Sequence, residues 1–188
     1  TSIPANYKRA HPTEGRDQLK TDYFLNELLP KRKEPDTAAL IAFTSFDLYP
    51  GEDWNYVFGM ASLDRGIGVW SLARMGDDSG PSPDNNRFVS RILKLAVHET
   101  GHMFGMRHCT KYECVMSGTN HLGETDRRPL DTCPECTAKI VWKLKYPASE
   151  RYRRLEDVSL KLGFESESRL FAEKHKSIRE MEMNPARR

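Results

Sequence analysis

The chain has 188 residues, with 29 basic and 27 acidic side chains and a net charge of +2. This balance excludes the strongly basic footprint of a nucleic-acid-binding domain, and no apolar run approaches the roughly 20 residues of a membrane-spanning helix. The length suits one domain, and we expect a peptide or protein as partner, with no nucleic acid and no membrane.

The region before residue 76 shows the hydrophobic patterns of one helix and three strands. Residues 14–29 place apolar side chains at helical spacing until Pro30, which cannot continue a helix. The predicted elements are, in chain order, an irregular start at 1–13, a helix at 14–29, a solvated linker at 31–34, a buried strand at 38–48, and strands at 56–63 and 68–74 joined by a turn at 64–66.

A polar loop at residues 76–86 leads into the most informative segment of the chain. The loop is rich in turn-forming residues, and its adjacent Asp77 and Asp78 lack the spacing of an EF-hand calcium loop. A helix is expected to begin near Arg87, because apolar residues then recur on one face: Val89, Leu93, Ala96, Val97 and Phe104.

The string that begins at His98 fits H-E-x-x-H-x-x-G-x-x-H at every fixed position, which is the signature of a catalytic zinc site. His98 and His102 lie one helical turn apart, so both imidazoles can reach one ion at about 2.0–2.1 Å. Gly105 is expected to end the helix in a left-handed conformation and return His108 as a third ligand. A fourth position remains for water, and Glu99 is placed to accept its proton.

Four cysteines follow in two pairs, Cys109 with Cys114 and Cys133 with Cys136. The C-x4-C and C-x2-C spacings suit a tetrahedral structural zinc site with four thiolate ligands. The alternative is two disulfides in an exported protein, but nothing resembles a signal peptide and a chain of this size can bury a core without disulfides. We therefore expect two zinc ions per chain and an intracellular protein, cytoplasmic or nuclear.

Met116 lies two residues beyond Cys114, where a methionine can form the Met-turn beneath a catalytic ion. The cysteine site would then brace both this turn and His108, which directly precedes Cys109. Further along, Thr132-x-x-Glu135 resembles a helix capping box with proline in the first turn. Three helices are expected in the last third of the chain: one from the capping box to Leu144, one at 149–162 and one at 167–182.

This succession of residues resembles the archaemetzincins, whose pattern runs from the three-histidine motif into a cysteine, a second cysteine, a nearby methionine and a later C-x2-C. The resemblance covers roughly residues 38–145. It implies a metzincin fold, one catalytic and one structural zinc, and peptidase activity, with an aminopeptidase type as one option. Other similar stretches are 47–50, 54–59, 120–121 and 126–130.

The metzincin arrangement also implies an edge strand that lines the cleft and pairs with bound peptide. We assign this strand to Gly66–Ala73, with a plain core hairpin as the alternative. Some metzincins carry a tyrosine two positions after the Met-turn methionine, where this chain has Gly118. His121 and Arg127 are therefore candidates for stabilising the transition state, with a structural role in an irregular loop as the alternative.

The expected fold class is α/β of the α+β type, a two-lobed metzincin-like catalytic domain. It should combine a mixed twisted sheet and an active-site helix with a mainly helical C-terminal lobe. Residues 1–188 should form one monomeric domain, with the upper lobe at about 14–105 and the lower lobe at about 106–182. The expected function is a zinc-dependent metallopeptidase with Glu99 as the base. The alternative is a catalytically silent zinc module that binds a peptide or protein in the cleft.

Overall fold

A computed structural model describes residues 3–76 and 85–184 of the chain. Most of the predicted polar loop, including Asp77 and Asp78, lies outside these described residues. The strands are β1 (Lys8–Ala10), β2 (Asp17–Lys20), β3 (Leu40–Thr44), β4 (Asp47–Tyr49), β5 (Gly59–Ser62) and β6 (Ile67–Ser71). The helices are α1 (Asn85–Met103), α2 (Leu122–Arg127), α3 (Pro134–Leu144), α4 (Ala148–Lys161) and α5 (Glu165–Met183), besides a 3-10 turn at Ala5–Tyr7 and a π-helical segment at Tyr23–Leu28.

The described strands form two small sheets, and both are mixed. One has the order β1-β2-β4, with β1 antiparallel and β4 parallel to β2. The other has the order β3-β6-β5, with β3 parallel and β5 antiparallel to β6. Strands in the first part of the chain and helices in the second agree with the expected α+β class. None of the described helices is long and apolar enough to cross a membrane.

The first thirty residues differ from the sequence-based expectation. The irregular start contains β1, and the first part of the expected helix is β2. Tertiary pairing overrides the helical pattern here, because Gln18 donates its side-chain amide to the buried Asp47 Oδ2 at 2.9 Å while Leu19 is buried beside β4. The remainder of the expected helix is the π-helical segment.

The expected strand at 38–48 is two strands that belong to different sheets. The chain bends at Ser45 and Phe46, where the Phe46 backbone N–H donates to Thr44 Oγ1 at 3.2 Å.

The turn at residues 64–66 is confirmed, with Gly66 at φ +59°. Our choice of the cleft-lining edge strand was wrong, because β6 is the central strand of its sheet. β5 is an edge strand of that sheet and lies beside Glu99 along a shared groove.

The described residues contain two separate clusters of buried side chains. The first joins both sheets to the π-helical segment, and its buried members are Leu19, Tyr23, Phe24, Leu25, Leu29, Leu48, Ile67 and Val69. The second surrounds the cysteines, with Met106, Val115 and Met116 as buried members beside Cys114, Cys133 and Cys136. Met106 lies within the histidine motif, so the second cluster includes the end of that motif.

The three expected C-terminal helices are present, and α2 is an additional short helix. The expected capping box is not formed at α3, because Cys133 is the N-cap and its sulfur accepts the backbone N–H of Cys136. The hydroxyl of Thr132 instead contacts Thr137 Oγ1 at 2.7 Å. Helices α4 and α5 form a hairpin that buries Tyr152 and Phe171 against each other, with ring centroids 6.1 Å apart.

Candidate active site

Helix α1 and the turn that follows it bring the three histidines of the motif together. The Nε2 atoms of His98 and His102 are 3.0 Å apart, and the possible ligand nitrogens of all three histidines lie within 4.8 Å of one another. Gly105 has φ +84° and ends the helix in the left-handed region, as expected from its position in the motif. This reversal places the ring of His108 4.9 Å from the ring of His102, between centroids.

Two backbone carbonyls orient the helical histidines. His98 Nδ1 lies 2.8 Å from the carbonyl oxygen of Val115, and His102 Nδ1 lies 2.7 Å from that of Met106. A carbonyl oxygen only accepts, so each Nδ1 carries the proton and each Nε2 presents its lone pair to the shared space. Burial lowers the pKa of His98 to about 4, which keeps this ring neutral. Three convergent imidazole rings fit a zinc ion that retains an open coordination position.

The turn at Met116 lies directly beneath these histidines. The Met116 side chain is fully buried, and its sulfur occupies the space beside Gly101 of α1. The Met116 carbonyl accepts the backbone N–H of Cys109 at 2.8 Å, which ties the turn to the residue that follows His108. The turn therefore supports the histidine cluster from below and also fixes the path of the third histidine.

The four cysteines form a second compact cluster beside this turn. Their sulfur atoms lie within 4.8 Å of one another, and the Cys109 and Cys133 sulfurs are 3.8 Å apart. Tetrahedral zinc with Zn–S bonds of about 2.3 Å requires S···S distances of about 3.8 Å, whereas a disulfide requires about 2.05 Å. Backbone N–H groups of Met116 and Cys133 donate to the Cys114 sulfur at 3.4 and 3.2 Å. The cluster thus fits a thiolate-bound metal rather than two disulfides.

Glu99 lies one residue beyond His98 on α1 and faces the open side of the histidine cluster. Burial raises the pKa of its carboxyl group, while the charge of His102 and the neighbouring indole of Trp70 act in the opposite direction. Trp70 is almost fully buried on β6 and lines the same groove as Glu99. A carboxylate with a raised pKa, beside a metal site and not within its cluster of ligand atoms, is suited to accept and return a proton.

Two depressions meet at Glu99. One is a cavity of 240 Å³ that Glu99 shares with His98, His108 and the 119–122 loop. The other is a groove along β5 with the aromatic side chains of Trp54, Tyr56 and Phe58 on its wall, and it also contains Glu99. Phe58 and Leu95 belong to both depressions. A continuous cleft therefore passes the carboxylate of Glu99, with an aromatic side and a polar side.

The two residues predicted as candidates for transition-state stabilisation, His121 and Arg127, lie in different depressions of the surface. His121 lines the cavity, whereas Arg127 lines a shallow depression on the outer side of the loop. Arg128, which was not predicted as a site residue, lines the cavity, and its Nη1 lies 3.2 Å from His98 Nδ1. Trp70 was not predicted either. Nothing in the local sequence separates Arg127 from Arg128, and the contact of Trp70 depends on strand pairing.

Comparisons with known proteins agree with this geometry. The profile of peptidase family M54 matches residues 34–142, which is more than half of the chain. Archaemetzincin-2 of Macaca fascicularis is 38% identical over 155 residues, which cover 69% of this chain and 43% of that protein. Archaemetzincin of Pyrococcus furiosus is 34% identical over 130 residues, covering 69% of this chain and 67% of that protein.

A solved structure shows the same fold. The crystal structure of archaemetzincin from Methanopyrus kandleri has a TM-score of 0.58 and 31% sequence identity, and the match covers 77% of this chain and 73% of that chain. This chain spans less than half the length of the archaemetzincin-2 proteins that it matches. The profile match and the similarity to the Pyrococcus furiosus protein lead to one conclusion: the chain belongs to peptidase family M54, the archaemetzincins.

Proposed function

We propose that this chain is a zinc-dependent metallopeptidase that hydrolyses peptide bonds of a peptide or protein substrate. The observation that carries the proposal is the placement of the Glu99 carboxylate between the histidine cluster and the two depressions of the cleft. Family membership supports the same conclusion. A catalytically silent zinc module is the weaker alternative, because it gives no reason for a proton-accepting carboxylate at this junction.

His98 and His102 would hold the catalytic zinc through their Nε2 atoms, and a ring nitrogen of His108 would be the third ligand. When bound there, zinc lowers the pKa of a coordinated water toward about 7 and polarises a carbonyl group. Glu99 would accept a proton on its carboxylate and then deliver it to the departing amine nitrogen. Trp70, which lines the same groove, would pack beside the carboxylate during both transfers.

The edge of β5 is suited to hold the substrate backbone. Among the described residues, β5 pairs only with β6, so its other edge keeps backbone donors and acceptors available. A peptide that adds to this edge would run along the aromatic groove toward Glu99. All groups needed for this chemistry come from a single chain, which supports a monomer as the active unit.

We further propose that Cys109, Cys114, Cys133 and Cys136 hold a second, structural zinc, for a total of two ions per chain. The 3.8 Å sulfur separation and the N–H···S contacts support this assignment.

Unbridged thiols of this kind persist in a reducing compartment, which supports an intracellular location. The two buried clusters support the division into an upper lobe at about 14–105 and a lower lobe at about 106–182.

Glu99→Gln tests the proposed role most directly. The variant retains the size and shape of the side chain but cannot accept a proton, so we expect a loss of about 10²–10⁴-fold in turnover of an unbiased peptide pool. Zinc content measured by elemental analysis should approach two ions per chain in both proteins. Equal turnover in wild type and variant would contradict the role of Glu99, and one ion per chain after zinc supplementation would contradict the second site.

A further inference from the structure

The polar side of the cleft carries an excess of positive charge. Arg91 and Arg128 both line the 240 Å³ cavity, and Glu99 is the one carboxylate lining it among the described residues. Arg91 is held by Asp126, through bonds of 2.7 and 2.6 Å to its two carboxylate oxygens. Arg128 forms no ion pair with a carboxylate in the described part of the chain, so no described carboxylate occupies its guanidinium group.

Arg128 uses only one side of its guanidinium group. Its Nη1 donates to the backbone carbonyls of Ser117 and Val115, the latter at 2.9 Å. Its Nη2 has one described contact, a long one of 3.4 Å to Thr119 Oγ1. Its Nε is buried and has no hydrogen-bond partner among the described residues. Nε and Nη2 form the edge with which arginine binds a carboxylate through two parallel hydrogen bonds.

The aromatic side of the cleft has the opposite character. Within the described chain, Glu99 is the only charged residue that lines the groove along β5. Among the described residues, an anionic group on the substrate therefore has a cationic side chain beside it only in the cavity. Within that part of the chain, a free amino terminus has no dedicated partner on either side, because the only carboxylate lining the two depressions is the one that the chemistry requires.

We propose that Arg128 is a specificity-determining residue that binds a carboxylate of the substrate on the cavity side of the scissile bond. The carboxylate is either the C-terminus of the peptide or an acidic side chain near the cleaved bond, and the aromatic groove takes an apolar residue on the other side. This inference rests on the proposed peptidase function and names its substrate class. It also predicts that a free amino terminus is not required, in contrast to an aminopeptidase.

The test uses sets of peptides that share one core sequence, taken from a cleaved member of the unbiased pool or, if no member is cleaved, from a member that binds the zinc-loaded Glu99→Gln protein. One pair carries a C-terminal carboxylate or an amide, a second carries Glu or Gln after the cleaved bond, and a third has a free or acetylated N-terminus. A hydrogen-bonded charge pair is typically worth about 10- to 100-fold, so the acidic member of the first or second pair should be favoured by this factor in kcat/KM. The third pair should show no difference.

Variants at two adjacent arginines assign the preference to one residue. Arg128→Met should remove the preference for the acidic peptide, and Arg128→Lys should retain part of it because the charge remains. Arg127→Met is the matched control, since Arg127 is exposed outside the cavity, and it should keep the wild-type preference. A general loss of folding would lower turnover of both peptides of a pair equally, whereas the proposed role changes their ratio.

Binding provides a second measurement that does not depend on hydrolysis. With zinc-loaded Glu99→Gln protein, titration calorimetry should show tighter binding of the acidic member of one pair, and this difference should be absent when Arg128→Met is added. If a preference for acidic peptides is found in binding while wild type cleaves nothing, the carboxylate site is supported and the peptidase function is contradicted. Affinities within twofold for both pairs, or a preference that persists in Arg128→Met, would overturn the inference.

Discussion

At the scale of single residues, Gly101 shows how close packing restricts a position that the zinc motif leaves open. The position between Thr100 and His102 accepts any residue in the H-E-x-x-H pattern. In this chain, a Cβ atom at Gly101 would lie 2.4 Å from the Met116 sulfur and 2.7 Å from its methyl carbon. Glycine is therefore needed here because α1 and the Met116 turn approach each other closely.

The first prediction concerns Gly101→Ala. In an exposed helix interior this change stabilises by about 1 kcal/mol, but overpacking a core costs about 1–3 kcal/mol. Because Met116 is fully buried, we expect the clash to dominate, with a lower free energy of unfolding and weaker binding of the catalytic zinc. Urea unfolding and competitive chelation measure the two effects.

Gly51→Ala provides the matched control for this substitution. A Cβ atom at Gly51 meets nothing within 4 Å, so the stability and zinc affinity of that variant should equal those of wild type. A Gly101→Ala protein that matches or exceeds wild type in both measurements would show that the turn can move away without cost. The described packing would then not explain the glycine.

At the scale of elements, the segment from the end of α1 to the start of α3 links the two metal clusters. His108 and Cys109 are neighbours, and the Met116 carbonyl accepts the Cys109 backbone N–H. Cys133 supplies the N-cap of α3, and its backbone N–H donates to the Cys114 sulfur. Hydrogen bonds donated by backbone N–H groups therefore connect the cysteine cluster to the segment that carries the third histidine and to the turn beneath it.

The second prediction concerns Cys133→Ser, which leaves the three histidines and Glu99 unchanged. Loss of the structural ion should release the loop that positions His108, and comparable losses of supporting groups cost about 10–100-fold in metal affinity. We expect weaker catalytic zinc binding, measured by competitive chelation, and a lower Tm, because a structural zinc contributes to folding. Unchanged affinity in a folded variant would establish that the two sites are independent.

The third prediction concerns the ion pair that joins β4 to the residues after β6. Asp47 is fully buried and accepts from Arg74 Nε at 2.9 Å and Nη2 at 2.8 Å. Burial alone would raise the pKa of Asp47, but the hydrogen bonds of Arg74 and Gln18 lower it below its usual value. Its stabilising contribution is thus present above the unfolded pKa of about 3.9 and is lost as the pH falls through the lower folded value.

Asp47→Asn should therefore lower the free energy of unfolding at neutral pH, within the roughly 3–5 kcal/mol that breaking a buried pair costs. The difference between wild type and variant should shrink as the pH falls below about 4. Denaturant unfolding at a series of pH values measures this difference curve. A difference that is constant from neutral to acid pH would mean that the Asp47 charge does not contribute to stability.

At the scale of the whole molecule, one buried carboxylate ties the C-terminal helices to the metal-binding segment. Asp131 accepts from Arg151 Nη2 at 2.9 Å and Lys174 Nζ at 2.6 Å, so it contacts both α4 and α5. Its backbone carbonyl accepts the N–H of Val115, which itself orients His98. The α4–α5 hairpin lies outside the matched family profile, yet it is anchored two residues from Cys133.

The fourth prediction compares the loss of the Asp131 carboxylate with the loss of one of its partners, Lys174. Asp131→Ala removes the buried carboxylate and leaves the partly buried Arg151 without its partner, which should cost about 3–5 kcal/mol of stability. Lys174→Met removes a partly exposed partner and should cost at most about 1 kcal/mol. Urea unfolding ranks the two variants, and a zinc-responsive dye monitors release of the structural ion. Equal effects would show that the hairpin is held by apolar contacts and not by Asp131.

The parts of the structure that were predictable are those in which local spacing determines geometry. The one-turn separation of His98 and His102 follows from the helical repeat, and the reversal at Gly105 follows from the conformational range of glycine. The mismatch at residues 14–29 has a different origin, because β2 exists through its pairing with β4, about thirty residues away. Helical periodicity in one segment contains no information about such a distant partner.

The sequence by itself determined the family, the two groups of metal-binding residue types and the C-terminal helices, since these depend on short spacings along one chain. The tertiary structure alone decided that β5 and not β6 is an edge strand beside the cleft. It also decided that Trp70 lines the same groove as Glu99 and that Arg128, rather than Arg127, lines the cavity. These features depend on which strands pair and which face of a loop turns inward, and both result from packing between segments that are far apart in sequence.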